Sequence, residues 1–147
     1  MTRIEEIHIE RRQFYGLSCE LPNSPHERPS KIKALWAQLK KKVSDQNISG
    51  FSQVSIIEND LPGSKGAVIY YALCDVRTDG LSEYVLDAGV FMCIHHKGHA
   101  RDIVKSLQDI GPDQFKKVTR AQEIFLYPEN YAPDKSDCII KYLLPVS

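Results

Sequence analysis

The chain has 147 residues, 42% of them hydrophobic, a length and composition that fit one globular domain and exclude a disordered, collagen-like or repetitive protein. Its 19 Lys and Arg balance its 19 Asp and Glu, which argues against a nucleic-acid binder because phosphate contacts require a surplus of basic residues. No apolar stretch reaches the ~20 residues that cross a bilayer, and the amino terminus lacks an export signal, so we expect a cytoplasmic protein that binds neither nucleic acid nor membrane.

The first half of the chain predicts the order strand, helix, strand, strand. These elements are expected over residues 3–19, 30–43, 51–57 and 67–76. Gly16 interrupts the first apolar pattern, which indicates either one long strand with a bulge or bend, or two abutting strands. Three prolines make residues 21–30 a loop, and the helix that follows carries one apolar stripe that includes Trp36.

The second half predicts two strands, a helix and two further strands. They are expected over residues 82–86, 90–96, 98–110, 121–127 and 138–144. Asp79-Gly80 marks the turn before the first of these strands, and Gly111-Pro112 ends the helix.

The two halves, about 1–78 and 79–147, share one layout, in which an amphipathic helix follows a long strand. We therefore expect a single α+β domain over residues 1–147. It would consist of two tandem β-α-β-β units that form an antiparallel sheet, with two helices on one face. A central cleft is expected where the units meet, since neither helix alone can cover the sheet.

The segment from Ala88 to Gly98, which reads Ala-Gly-Val-Phe-Met-Cys-Ile-His-His-Lys-Gly, resembles the strand-to-helix signature of GyrI-like (gyrase-inhibitor-like) effector-binding domains. Phe91 takes the aromatic position of that signature. Glu123, within Ala-Gln-Glu-Ile-Phe-Leu-Tyr, is similar to the family's Glu-Ile-Tyr-like strand, and residues 138–146 resemble its closing strand. Leu107-Gln108 departs from the Trp-Leu pair that often ends the family's second helix.

This resemblance implies a cleft that binds bulky, often lipophilic and cationic small molecules. In some members of the family the same cleft has been turned to hydrolysis. Because the chain starts at the first strand, without a helix-turn-helix, it resembles a stand-alone member rather than a transcription regulator. A protein partner is suggested only by the family's name and has no support in the sequence.

Glu123 is the central candidate for the binding site. Strand alternation places it on one face with Ala121, Phe125 and Tyr127. A carboxylate among apolar groups is costly unless it is paired, hydrogen-bonded or protonated. An unpaired Glu123 would attract a cationic ligand, whereas the other interpretation pairs it with a Lys or Arg at the rim of the sheet. The family resemblance favours the first interpretation.

Four aromatic residues are the candidate ligand contacts beside Glu123: Trp36, Tyr71, Phe91 and Tyr127. Trp36 and Phe91 fit core packing as well as the wall of a cleft. Tyr70 and Tyr71 are adjacent on one strand and point to opposite faces, so only one reaches the cleft, and we assign it to Tyr71.

These residues predict a small-molecule binding protein with an aromatic cleft and a central glutamate. The alternative is a hydrolase of electrophilic compounds, in which Glu123 acts as general base on a water and Tyr71 steadies the leaving group. Product formation that disappears when Glu123 is replaced by Gln would favour the hydrolase.

His95, His96 and His99 form an H-H-x-x-H group whose spacing invites a zinc hypothesis. However, His95 and His96 end a strand and point to opposite faces, and Gly98 intervenes before the helix. We therefore expect no metal site in this segment.

The four cysteines form no C-x-x-C pair and are widely spread along the chain: Cys19, Cys74, Cys93 and Cys138. Three lie in apolar runs, so we expect small buried thiols rather than a disulfide or zinc framework. The glycine pattern matches neither a phosphate-binding loop nor a dinucleotide-binding fingerprint, and we expect no cofactor.

Overall fold

The computed structural model describes residues 3–46, 51–59, 67–119, 121–129, 131 and 137–146. Within these residues the strands are β1 Arg3–Ile9, β2 Arg12–Leu21, β3 Gln53–Glu58, β4 Val68–Cys74, β5 Ser82–Leu86, β6 Gly89–Lys97, β7 Gln122–Leu126 and β8 Ile139–Pro145. The helices are α1 Arg28–Asp45, α2 Ile103–Gln108 and α3 Pro112–Phe115, and a 3₁₀ turn, Ala100–Asp102, leads into α2. The domain is α+β, in agreement with the sequence-based prediction.

The strands form one open antiparallel sheet in the order β1-β6-β8-β7-β3-β4-β2-β5. β1 is at one edge and β2 is six spacings away, although only Glu10 and Arg11 connect them. In a flat sheet six spacings correspond to about 29 Å, whereas two linking residues span about 11 Å at most. β5 and β6 are likewise joined by Asp87 and Ala88 alone. The sheet therefore rolls so that its two edges approach each other.

The inner face of the roll is filled by apolar side chains. Its core takes residues from β2 through β8: Phe14, Val54, Ile56, Leu73, Leu86, Phe91, Cys93, Ile124 and Leu143. Such a core buries apolar surface without a covering helix, because the opposite sides of the roll pack on each other.

The outer face carries the helices. Leu35, Leu39 and Val43 recur every four residues along α1 and bury one stripe against β2 and β4. Ile103 and Leu107 are the buried residues of α2, and they pack with side chains of β6 and β8 in a second cluster. The central strands β3 and β7 lie between these two helix-covered regions, and this position defines the outer-face site described below.

Two local details differ from the sequence-based expectation. The first apolar segment is two abutting strands that break at Glu10 and Arg11, while β2 pairs with β4 in continuous register through Gly16, so Gly16 does not mark a bulge. The helix expected over 98–110 is shorter, because a 3₁₀ turn begins at Ala100 and α2 spans only Ile103–Gln108. Gly98, with a φ of 120°, and His99, with a ψ of 145°, lie outside the helical region.

All four cysteines are free thiols, and only Cys19 keeps exposed surface. Among the described helices, none is long and apolar enough to span a membrane.

Candidate functional site

The site on the outer face is built around β7. Glu123 and Phe125 project from this strand to the outer face, and Glu123 pairs across to Ile57 on β3. Ile57 also pairs with Tyr70 on β4, while Phe125 pairs with Tyr142 on β8. Side chains that lie opposite each other in adjacent strands share a face. The registers of four strands therefore bring these side chains together around Glu123.

Six aromatic residues on this face form what we call the aromatic cluster: Trp36, Tyr70, Phe125, Tyr127, Tyr131 and Tyr142. Tyr127 is central, with its ring centroid 6.2 Å from that of Trp36 in an edge-on contact and 4.6 Å from that of Tyr131. It also stacks on Phe125 at 6.4 Å, and Phe125 lies 4.9 Å from Tyr142. Trp36, Tyr127 and Tyr131 keep part of their surface exposed. The cluster thus offers an aromatic wall to solvent.

Glu123 lies at the base of the aromatic cluster and is only 8% exposed. The Tyr142 hydroxyl donates a hydrogen bond to its Oε1, and Asn59 Nδ2 donates to its Oε2 at 2.8 Å. These neutral donors replace water that burial removes from the carboxylate oxygens. Glu123 is therefore a hydrogen-bonded acid beneath aromatic rings, held in place from β8 and from the end of β3.

Two further hydrogen bonds fix the aromatic cluster. Trp36 Nε1 donates to the Tyr70 hydroxyl at 2.8 Å, and Ser55 Oγ shares a hydrogen bond of 2.8 Å with the Tyr127 hydroxyl. Burial raises the pKa of Tyr70 and raises that of Tyr127 well above its usual range. Both phenols therefore stay protonated at neutral pH, and the wall they form is uncharged.

Tyr71 and Phe91 lie on the inner face and not beside Glu123, contrary to the expectation that all five candidates line one cleft. Tyr71 is the neighbour of Tyr70 on β4 and points the other way, so Tyr70 is the member of this pair that reaches the aromatic cluster. Phe91 is 4% exposed and packs in the inner core. The structure places Trp36, Glu123 and Tyr127 on the outer face, and Tyr71 and Phe91 on the inner face.

The inner face has a cavity of about 570 Å³ at one end of the roll, lined in part by Tyr71 and Phe91. Glu58 is one of the carboxylates that line it, and it accepts a hydrogen bond from the Tyr84 hydroxyl at 2.6 Å and one from the Tyr71 hydroxyl at 3.3 Å. Gln122 Nε2 donates to the Tyr84 hydroxyl at 2.7 Å. Glu58 follows Ile57 on β3, so its side chain is on the opposite side of the sheet from Glu123.

Tyr142 and Asn59, which hold Glu123, were missed by the sequence analysis. Alternation along β8 groups Tyr142 with Ile140 and Leu144, but it does not say which face of the sheet they share. That information comes from the pairing of Phe125 with Tyr142, a contact between strands. The only sequence signal was the resemblance of the closing strand, which contains Tyr142, to the family pattern.

The histidine group does not converge. His96 lies on the outer side of β6, where Nδ1 contacts Ser106 Oγ at 2.7 Å and Nε2 contacts the His99 carbonyl at 2.6 Å. His95 is on the inner side, where its Nε2 lies 3.2 Å from Glu5 Oε1. The two adjacent histidines therefore have separate environments on opposite faces of the sheet.

The sequence profile of the GyrI-like small molecule binding domain matches residues 2–147 of this chain. Among curated protein sequences, none gives a significant match.

Several solved structures share the fold at low sequence identity. The EcmrR C-terminal domain superposes with a TM-score of 0.70 at 12% identity, covering 100% of this chain and 98% of its own. SAV2435, solved with bound tetraphenylphosphonium, gives a TM-score of 0.69 at 10% identity, covering 99% of this chain and 94% of its own. A hydrolase encoded by lin2189 from Listeria innocua gives a TM-score of 0.54 at 12% identity, covering 99% of this chain and 92% of its own. At such identities these likenesses establish the fold alone.

Proposed function

Because the chain belongs to the GyrI-like family of small-molecule binding domains, we propose that it binds bulky lipophilic cations on its outer face. Glu123 supplies a fixed negative charge, and the aromatic cluster supplies the apolar surface. The observation that carries this proposal is the position of the Glu123 carboxylate on the same face as the cluster, in hydrogen-bond contact with one of its rings. Tetraphenylphosphonium, bound by the structural neighbour SAV2435, is a cation of this class.

Charge and aromatic surface act together in this site. At ~4 Å and an effective dielectric of ~20, a carboxylate attracts a unit positive charge by about 4 kcal/mol before desolvation is subtracted. Each aromatic face beside the cation adds roughly 0.5–2 kcal/mol. A cation whose charge is spread over a large apolar surface loses less hydration energy on leaving water than a compact ammonium ion. The site therefore favours bulky cations over small ones.

We propose further that the site lies where two tandem β-α-β-β units meet. One unit would be β2-α1-β3-β4 and the other β6-α2-β7-β8. Outward from the centre of the sheet the strands run β3, β4, β2 on one side and β7, β8, β6 on the other, which supports this assignment. Glu123 then belongs to the second unit, while Trp36 and Tyr70 belong to the first, so a ligand between them contacts both halves.

The test uses two probes of the same shape and opposite charge, tetraphenylphosphonium and tetraphenylborate. Trp36 is the only tryptophan of the chain and lies in the aromatic cluster, so its fluorescence reports binding at this site. We expect the cation to bind at least about tenfold more tightly than the anion. In Glu123→Gln the affinity for the cation should fall well over tenfold, while the affinity for the anion should be unchanged or improved.

Glu58→Gln is the matched control, because it removes a hydrogen-bonded carboxylate of the same type from the opposite face of the sheet. Its affinity for tetraphenylphosphonium should stay within about twofold of the parent protein. Thermal unfolding checks that both variants are folded. Two results would contradict the assignment of Glu123. One is that Glu123→Gln loses affinity for the cation and for the anion equally. The other is that Glu123→Gln and Glu58→Gln lose affinity for the cation equally.

Hydrolysis at the same site is the second candidate function. The observation that favours it is the direct hydrogen bond between the Tyr142 hydroxyl and Glu123, a candidate acid–base pair on the outer face. Tyr142, not Tyr71, would then steady the leaving group, because Tyr71 lies on the other face. Incubation with electrophilic esters and strained-ring compounds, followed by mass spectrometry, separates the two functions. If the parent protein forms product and Glu123→Gln does not, hydrolysis rather than binding is the function of the site.

A further inference from the structure

Three side chains with metal-binding atoms converge on the inner face near the β1 edge of the sheet. Glu5 on β1 lies directly opposite Cys93 on β6, and Arg3 lies opposite His95. Cys93 and His95 are two residues apart on β6, so both project to the inner face together with Glu5. Cys93 is fully buried, while the side chains of His95 and Glu5 are 14% and 38% exposed. One ligand of the group is therefore buried in the core, and the other two are partly accessible to solvent.

Two of the distances between the ligand atoms are close to those around a tetrahedral zinc ion. Cys93 Sγ lies 3.8 Å from His95 Nε2, His95 Nε2 lies 3.2 Å from Glu5 Oε1, and all three atoms are within 4.8 Å of one another. Zinc bonds of about 2.3 Å to sulfur and about 2.05 Å to nitrogen or oxygen, at tetrahedral angles, place sulfur about 3.6 Å from nitrogen and nitrogen about 3.3 Å from oxygen. The side chains therefore already stand close to ligand separation.

We propose that Glu5, Cys93 and His95 bind a zinc ion, with a water molecule in the fourth position. A thiolate and an imidazole select zinc over calcium or magnesium, which prefer oxygen ligands. One thiolate and one carboxylate balance the two charges of the ion, so the completed site is neutral where it adjoins the apolar core. Three protein ligands and an open position are the pattern of zinc sites that carry chemistry.

The surroundings of the three residues fit such a site. Arg3 Nη2 lies 3.2 Å from Glu5 Oε2 and holds that oxygen, which leaves Oε1 directed to His95. Outer contacts of this kind orient metal ligands. On the other flank, β8 pairs Leu143 with Cys93 and Lys141 with His95. The paired strands β1 and β6 therefore present the three ligands from regular secondary structure rather than from a loop.

Cobalt(II) is the probe for this site, because zinc has no absorption spectrum of its own whereas tetrahedral cobalt–thiolate sites absorb strongly. The full chain, with reduced thiols, should bind one equivalent of cobalt and show a thiolate-to-cobalt band in the near ultraviolet. Zinc should displace it. In Cys93→Ala the band should disappear, and zinc affinity should fall by at least about a hundredfold in Cys93→Ala and in His95→Gln.

Cys19→Ala and His8→Gln are the matched controls, since each removes a potential ligand from the same sheet but outside the group. Both should bind zinc within about twofold of the parent protein. If Cys93→Ala does not fold, Glu5→Gln, a half-exposed position, should lower the affinity in the same direction with the near-ultraviolet band retained. The proposal is overturned if the parent chain binds no cobalt, if the band survives in Cys93→Ala, or if the controls lose as much affinity as the ligand variants.

Discussion

The buried hydroxyl of Tyr127, in the aromatic cluster, makes the stability of the protein depend on pH. Burial raises its pKa well above the usual range, whereas in the unfolded chain a tyrosine ionises near pH 10. The stabilisation from Tyr127 is therefore complete below about pH 10, and it is lost as the pH rises from there towards the folded-state pKa. Above pH 10 the unfolded chain releases a proton that the folded protein keeps, so the free energy of unfolding should fall.

Tyr127→Phe should remove this contribution. Between pH 10 and 11 the free energy of unfolding of the parent protein should decline more steeply than that of the variant, by up to about 1.4 kcal/mol per pH unit. Urea unfolding at a series of pH values measures both slopes. Below about pH 9 the difference between the two proteins should be constant, because it then reflects the lost hydrogen bonds of the hydroxyl group, including the one with Ser55, and no change of protonation. Parallel curves up to pH 11 would contradict the role assigned to burial.

Residue-level patterns predicted contacts within one strand better than contacts between strands. Alternation along β7 groups Glu123 with Phe125, and the structure agrees because the period of a strand is local. The choice between Tyr70 and Tyr71 depended instead on register. Ile57 pairs with Glu123 on one side and with Tyr70 on the other, and nothing in the sequence of β4 specifies that pairing. For the same reason, Glu5 could not be associated with Cys93 from the sequence.

At the scale of elements, β2 depends on a glycine for its position between two neighbours. Gly16 is buried and pairs with Leu73 on β4 and with Ser82 on β5. A Cβ added to Gly16 would lie 1.9 Å from the carbonyl oxygen of Ala72, a backbone atom that cannot move without shifting β4. The sequence showed an interruption at Gly16, but the interruption reflects a close approach of two backbones and not a bulge.

Gly16→Ala should therefore destabilise the protein by about 2–4 kcal/mol, because one of the two strands must shift. Gly111→Ala is the control, since a Cβ there would meet nothing within 4 Å and its φ of −65° suits alanine. That substitution should change the free energy of unfolding by less than about 1 kcal/mol, because the entropy that the unfolded chain loses with alanine offsets the poorer N-cap preference of alanine at the start of α3. Chemical denaturation of the two variants and the parent protein measures both values. Equal stability of the two variants would mean that β4 yields easily at Ala72.

Apolar periodicity predicted the length of α1 correctly but not that of α2. The stripe in α1 recurs regularly and predicts a long helix, which the structure confirms over Arg28–Asp45. The stripe after Gly98 has similar apolar spacing, yet α2 spans only Ile103–Gln108 after a 3₁₀ turn. Gly98, with its positive φ, delays the start of this helix, and such a conformation is visible only in the folded chain.

For the whole molecule, the order of strands could not be deduced from the order of elements. The sequence predicted nearly all the strands and the antiparallel sheet, because these depend on local alternation and turns. The roll arises from two short connections, at residues 10–11 and 87–88, that join strands six positions apart. Rolling creates an inner face on which none of the helices of the described residues lies, and this face holds the cavity beside Glu58 and the group of Glu5, Cys93 and His95.

The same topology predicts how hydrogen exchange is distributed over the sheet. β1 and β8 are each seven residues long and both pair with β6, so they form a matched comparison. β8 is also bonded to β7, whereas β1 is at the edge and, among the strands of the described residues, pairs with β6 alone. Opening β1 breaks one ladder, while opening β8 breaks two and exposes the center of the sheet, so the amides of β1 should exchange at least about tenfold faster. Mass spectrometry of the native protein in deuterated buffer measures this ratio, and equal protection of β1 and β8 would show that the β1 edge is covered in solution.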